Sequence, residues 1–539
     1  MDLDASLRPE TKSPLAKPTI RRALTLYPLF VLMLVNVFIL IDRQVLSILA
    51  EDIKADLRIS DSDMGFMFGT ALSVFYAIFS VPLGRMADVW TRKNLMAVCV
   101  AAWSVMIILT GSARSFLTFA AFRAGVGVGE AGASPAAMSL ISDYFSPKTR
   151  NTALSVYSGG VPIGQGLGLF LGGFILDAWY RAYPVGTQAP FGLVGWQAVI
   201  LCIALPGPFL ALWLFSLKEP VRGQSEGLAI PPHPHPFREA WTELQSVLPI
   251  FSLFLMRRLG APTRTIVFNL LIGLAICAAV AALIAATGSS AQWLSLGFGS
   301  YCVACWAQTL ALRDRAAFGM IFKCRTLMFT NVGLAAFIFV IFGVAAWIVP
   351  YLIRVHHVSP SEAGVVMGSI TVLFGFLGNI LGGTVADFLQ RYTPRARTYV
   401  LLGSLVLTVP SVFLMLLTTS KTEAYAYIAL FYLTSGAWYG IGPSLVNGLV
   451  LPRMRGTASA FFLITITLLG MALGPYTMGY ISDLFVAAGS TPGDALRNGI
   501  LCGLPVLAIS GLLLLGATVS LPRDDATRLE RARSLGEAV

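Results

Sequence analysis

The chain has 539 residues, 56% of them apolar and only 12% charged, against roughly 25% charged in soluble domains. So few charges cannot cover the surface of soluble domains of this total size, and several uncharged stretches longer than 18 residues read as membrane-spanning helices. A soluble multidomain enzyme and a disordered scaffold are excluded, as is a transmembrane β-barrel, whose strands alternate over roughly ten residues.

Apolar spans fall at about 27–50, 64–83, 95–111, 116–141, 152–176, 196–216, 265–286, 291–312, 326–352, 363–386, 398–418, 425–451, 457–481 and 498–520, which predicts fourteen helices. The expected division is a tail (1–26), a six-helix bundle (27–217), a linker with an amphipathic helix (218–264), an additional helix pair (265–312), a loop (313–325), a second six-helix bundle (326–521) and a tail (522–539). The net charge of +11 tests this map. Twenty-nine Lys and Arg fall on the face shared by the termini, seven on the opposite face, and Arg43 and Arg123 inside helices. That split satisfies the positive-inside rule, so both termini are expected in the cytoplasm, and the basic charge reflects topology instead of nucleic-acid binding.

The first span is too long for a signal peptide, contains Asp42 and Arg43, and lacks a small-residue cleavage site, so it is expected to stay attached. Seven Cys give no disulfide framework, and Cys302-x-x-Cys305 has no second pair to complete a metal site. The four His (His233, His235, His356, His357) fall in predicted loops, which leaves no intramembrane imidazole as a proton carrier.

The linker opens with the stiff run PPHPHP (231–236), after which Phe237, Trp241, Leu244, Leu248, Phe251 and Leu255 follow at helical spacing. That pattern fits a helix lying in the membrane interface and, equally, a helix packed on the bundle; Pro249 kinks either. From Thr265 to Leu312 there is no Asp, Glu, Lys or Arg, so this pair is expected to insert.

The chain repeats internally. Gly84-x-x-x-Asp88 with Arg92 and Lys93 recurs as Gly383-x-x-x-Asp387 with Arg391, the segment 147–153 recurs at 452–458, and GLFLGGFILD (168–177) recurs as GPYTMGYISD (474–483), all at offsets near 300. Both copies begin on the same side, so the halves are parallel repeats about an axis along the membrane normal.

Residues 84–93, GRMADVWTRK, resemble the loop between helices 2 and 3 of the major facilitator superfamily. Arg123 with Gly125, Gly127 and Gly129 resembles its helix-4 motif, and SGGVPIGQGLGLFLGG (158–173) its glycine-rich helix 5. VGVGEAGASP (126–135), Ile41-Asp42-Arg43 and VPIGQGLG (161–168) are most similar to the spinster-like branch. The resemblance covers about 30–220 and 320–520; Val89 and Thr91 depart from the usual basic residue and Gly, and the additional helix pair departs from twelve helices. It implies an all-α membrane protein of two six-helix bundles in pseudo-two-fold arrangement. It also implies a cytoplasmic gate at Gly84, Asp88, Arg92, Lys93, Gly383, Asp387 and Arg391, proton coupling through the helix-4 arginine, and lipid-like substrates.

Asp42, Arg43, Arg123 and Glu130 lie within spans, where a charge costs at least ~2.5 kcal/mol without a partner or a wet cavity. At 1.5 Å per residue, Asp42 sits ~12 Å and Arg123 ~10 Å below the same membrane edge. Glu130, two helical turns on from Arg123, lies ~10 Å deeper, within reach of Arg43. The pairs predict exchange between salt-linked and protonated carboxyls, or alternatively fixed ties between helices. The second half offers Asn331, Trp347, Phe374, Asn379, Trp438, Tyr439 and Asn447 as candidates to line a cavity for an amphipathic ligand with an anionic head. Glycines at i, i+4 in helices 5 and 11 (Gly164, Gly168, Gly172; Gly470, Gly474) are expected at the seam between the halves.

No Walker loop, HExxH or G-x-S-x-G is present, so no enzyme activity and no ATP drive are expected. The sequence predicts a monomeric proton-coupled transporter of an amphipathic or organic anionic molecule in a bacterial inner membrane. Membrane lipids are its surroundings, and it needs no cofactor beyond the coupling proton and no nucleic acid. A small organic-anion symporter and a non-transporting receptor are the alternatives.

Overall fold

The computed structural model describes residues 22–184, 189–223, 225 and 234–537, and these form helices and connecting loops with no strand among them. Residues 1–21 of the predicted tail and the start of the PPHPHP run lie outside the described residues, while 22–26 already belong to the first helix. The first half comprises α1 (Arg22–Leu57), α2 (Asp61–Phe68), α3 (Thr70–Val89), α4 (Arg92–Gly111), α5 (Phe116–Glu130), α6 (Ala133–Tyr144), α7 (Pro147–Ala182), α8 (Gly195–Ala204) and α9 (Pro206–Phe215). Between the halves lie α10 (Pro236–Val247), α11 (Pro249–Arg258), α12 (Thr263–Thr287), α13 (Ser290–Arg313) and α14 (Arg315–Phe322). The second half comprises α15 (Arg325–His356), α16 (Pro360–Leu389), α17 (Ala396–Leu417), α18 (Lys421–Ser435), α19 (Trp438–Gly448), α20 (Arg455–Thr465), α21 (Leu473–Ala487), α22 (Pro492–Gly503) and α23 (Val506–Ala526), and α24 (Arg528–Ser534) follows.

Local chemistry sets the breaks. Ser60 and Ser115 cap α2 and α5 through reciprocal capping boxes with Asp63 and Thr118. Proline opens α7, α9, α10, α11, α16 and α22, where its missing N–H is no loss. Gly288, at φ 73°, turns α12 into α13 by a left-handed cap.

Among the described residues, eleven stretches are long and apolar enough to cross a membrane. The three remaining predicted crossings are helical too, but α5 with α6 breaks at Ala131–Gly132, α18 with α19 at Gly436–Ala437, and α13 carries Gln292, Ser295, Ser300 and Gln308 among its apolar residues. The predicted span 64–83 is likewise two helices, parted at Gly69, whose Cβ would lie 2.5 Å from the Met471 carbonyl oxygen. Residues 466–471, between α20 and α21, form a π-helical segment.

The glycine stripes fall elsewhere than expected. Cβ atoms on Gly164 and Gly168 would strike the Val37 and Ile41 carbonyls of α1, and on Gly470 and Gly474 the Ala335 and Phe339 carbonyls of α15, all within one half. The seam is made by other glycines of α7: a Cβ on Gly166 would sit 2.5 Å from the Gly368 carbonyl oxygen, and one on Gly173 2.4 Å from the Pro360 carbonyl oxygen. Helical spacing reveals a small-residue stripe, but α7 carries two stripes and only packing says which faces the other half.

The α12–α13 pair joins the halves laterally. Gly299 of α13 seats over Val74 of α3 and Leu468 of the π segment, and Trp293 meets Tyr476 edge-on at 5.5 Å. α12 is held to α13 by Asn269, which donates to Gln308 (2.9 Å) and accepts from Tyr301 (2.8 Å), while most of its surface stays open.

Candidate functional site

Two ion pairs connect α1 to α5. Arg123 donates to Asp42 Oδ2 at 2.7 Å, both side chains being almost fully buried. Arg43 donates from Nε (2.9 Å) and Nη2 (2.6 Å) to Glu130 Oε2, and its guanidinium lies 5.0 Å from the centre of the Tyr76 ring. Consecutive residues on α1 point to successive levels of α5, and so the four charges form one ladder. Glycine lets α5 approach α3 and α4: a Cβ on Gly127 would sit 2.3 Å from the Leu72 carbonyl oxygen of α3, and one on Gly129 2.6 Å from Trp103 Cβ of α4. α5 ends at Glu130.

The ladder is not saturated. Glu130 spends one carboxylate oxygen on both Arg43 bonds and leaves Oε1 buried without a protein partner; Arg123 Nε is likewise unpartnered. Arg43 is the exposed member, with 21% of its side chain accessible. Buried unpaired polar atoms of this kind point to an exchangeable proton, a water or a ligand group.

The second-half candidates divide. Tyr439 stacks on Trp438 at 4.1 Å and lies within electrostatic reach of Arg43. Trp438 Nε1 is buried without a partner, as are both amide atoms of Asn331. Phe374 and Asn379, on α16, are partly exposed. Asn447 accepts from Ser459 at 2.9 Å. Trp347 is fully buried, donates to the Pro475 carbonyl at 2.8 Å and meets Phe68 edge-on, so it packs helices of the two halves together.

The repeated loop residues turn into their own half. Arg92 is buried and bonds Glu219 (2.9 Å), Ser139 (3.0 Å) and Asp143, while Lys93 Nζ donates to the Leu217 carbonyl at 2.7 Å. Asp88, Asp387 and Arg391 are exposed, and nothing lies within 4 Å of a Cβ placed on Gly84 or Gly383. The halves do not meet at these residues.

They meet on the face opposite the termini, through residues the sequence reading passed over. Arg354 of α15 grips Asp61 with two bonds (2.7 and 2.8 Å) and Glu51 with two more (2.8 and 3.0 Å). Lys54 and Ser482 also bond Asp61, and Asp483 accepts from the Asp61 and Ser62 backbone N–H groups at 3.0 and 2.7 Å, capping α2 from the other half. Ser47 donates to the Ala346 carbonyl just beneath. The repeat GPYTMGYISD ends in Asp483, which was the available signal; its partner lies 422 residues away in the chain, beyond any spacing rule.

A family model described as Major Facilitator Superfamily matches residues 32–256. An MFS-type efflux pump of Mycolicibacterium smegmatis is 26% identical over 84% of this chain and 83% of its own length. Protein spinster of Drosophila melanogaster is 24% identical over 94% and 69%, and protein spinster homolog 1 of Homo sapiens 27% identical over 92% and 80%. Among solved structures, a bacterial homolog to the human lysosomal transporter spinster, in an inward-facing and unoccupied conformation, superposes with a TM-score of 0.68 at 23% identity, covering 93% of this chain and 98% of that one. The inward-open xylose transporter XylE from E. coli gives 0.55 at 12% identity, covering 91% and 96%.

Proposed function

We propose that the chain, which is similar to the Major Facilitator Superfamily over residues 32–256 and to spinster proteins over most of its length, is a membrane transporter of that type that couples proton movement to alternating access for an amphipathic, lipid-like or organic anionic molecule. The observation that carries this reading is the buried ladder Asp42–Arg123 and Arg43–Glu130, with one carboxylate oxygen left bare. A carboxylate facing a guanidinium stays ionised, and one that loses that partner in a dry site takes up a proton. Rocking that parts α1 from α5 then loads Asp42, and closure discharges it. Glu130 is the second proton site, and Arg43, partly exposed, is the residue that meets the ligand's anionic head while Tyr439 and Trp438 face its apolar body. The lock at Arg354 and the unjoined loops at Gly84 and Gly383 support a cycle in which one face is sealed while the other opens. By the basic-residue split the sealed face is the one away from the cytoplasm, and the proposed setting is a bacterial inner membrane.

Purified protein in liposomes with an imposed pH gradient, screened over lysolipids and organic acids, tests the reading. Asp42→Asn is expected to abolish gradient-driven uptake while leaving the elution profile of the protein unchanged. Retained dependence on the gradient in that variant removes Asp42 from the scheme, and transport of small carboxylates alone selects the symporter alternative.

A further inference from the structure

The α10–α11 elbow segregates its charges. Its acids turn inward: Glu239 pairs with Arg85 at 3.1 Å and Glu243 with Arg313 at 2.9 Å. Its basic residues turn outward: Arg238, Arg257 and Arg258 are exposed, as is Arg264 at the start of α12, and no ion pair to any of these four is seen among the described residues. Beside them stand Phe237, Trp241, Ile250, Phe251 and Phe254, with Ile250 69% and Phe254 67% exposed. The opposite face of the elbow is satisfied by packing, with Ser252, Leu255 and Met256 buried.

Chain continuity fixes the depth of this surface. α11 ends at Arg258 and α12 starts at Thr263, so only four residues separate them. α12 has 25 residues, about 37 Å of helix, enough to span a hydrocarbon core of about 30 Å. Its Val267, Phe268, Leu270, Leu271 and Leu274 are exposed to lipid. Arg258 and Arg264 therefore lie at the membrane edge on the side of the termini, where phosphate headgroups lie. A row of aromatics with guanidinium groups at this level is the composition of an interfacial helix, and each basic residue close to an anionic bilayer adds to the attraction.

We infer that the α10–α11 elbow is a docking surface for anionic phospholipid of the leaflet on the side of the termini, with Arg257, Arg258 and Arg264 on headgroup phosphates and Ile250, Phe251 and Phe254 among the acyl chains. The surface stands apart from the charge ladder, and it does not depend on the transport reading. Through Glu239 and Arg85 it is tied to the last turns of α3, which carry Gly84 and Asp88, so bound lipid bears on the end of α3.

The full-length protein, purified in neutral detergent, is titrated with phosphatidylglycerol, phosphatidylcholine or inorganic phosphate, and lipid retention is read by native mass spectrometry beside the midpoint of thermal unfolding. Wild type is expected to retain phosphatidylglycerol over phosphatidylcholine and to be stabilised by it, with no effect of inorganic phosphate. The triple variant Arg257→Gln, Arg258→Gln, Arg264→Gln is expected to lose that retention by about tenfold or more, and the triple Lys variant to keep most of it. Equal retention of the two lipids by wild type overturns the inference without recourse to any variant. So does unchanged retention in the Gln variant, or equal stabilisation by inorganic phosphate.

Discussion

At the scale of single residues, neighbours in sequence take different partners. Asp42 and Arg43 are consecutive, yet one meets Arg123 and the other Glu130, because successive α1 side chains point about 100° apart and α5 presents its two charges two turns apart. Removing one member strands the other. Arg123→Ala is expected to cost about 3 kcal/mol, by leaving Asp42 buried without its guanidinium, and thermal unfolding in detergent measures it. Adding Asp42→Asn to that variant is expected to recover most of the loss. A milder case is Arg453, which pairs with Asp314 and Glu537 at the membrane surface. The Arg453 guanidinium holds both carboxyls below their usual range. Depressed carboxyls contribute stability above their unfolded pKa and lose it as pH falls through the folded value. Arg453→Gln is accordingly expected to lower Tm slightly at pH 7, with the difference from wild type starting to shrink at about pH 4 and disappearing only once both carboxyls are protonated in the folded state.

At the scale of elements, close approach of backbones decides where side chains can exist. On α7 one glycine that crosses to the other half is Gly166, whose Cβ would sit 2.4 Å from Val372 Cγ2. Gly166→Leu is expected to cost about 1–3 kcal/mol by overpacking the α7–α16 crossing, and the Tm in detergent reads it directly. Gly383→Ala, one turn from Asp387 on the same α16, meets open space and is expected to leave Tm unchanged. If the loops close on each other during the cycle, this silent substitution slows turnover in liposomes, which separates a gate glycine from a packing glycine. α13 follows the same logic: a small residue, Gly299, lets it lie over α3 and the π segment together.

At the scale of the whole molecule, the two halves are sealed on the face away from the termini by Arg354, Asp61, Glu51 and Asp483 and stand unjoined at the repeated loops. Arg354→Ala is expected to bias the population toward opening at that face. A Cys introduced at Ser482, now fully buried beside Asp61, is then expected to react with a membrane-impermeant maleimide more than tenfold faster, equivalent to about 1.4 kcal/mol of lost bias. Unchanged labelling places the seal elsewhere. Membrane insertion, the duplicated architecture, the pairing level of Asp42 with Arg123 and the kink at Pro249 were legible in the amino-acid sequence, because hydropathy, repeat spacing and helical rise are properties of the chain taken locally. The seam glycines, the lock around Arg354 and the placement of Trp347 between helices came only with the tertiary structure. Each depends on which of several equivalent helix faces meets a partner hundreds of residues away, and packing alone makes that choice.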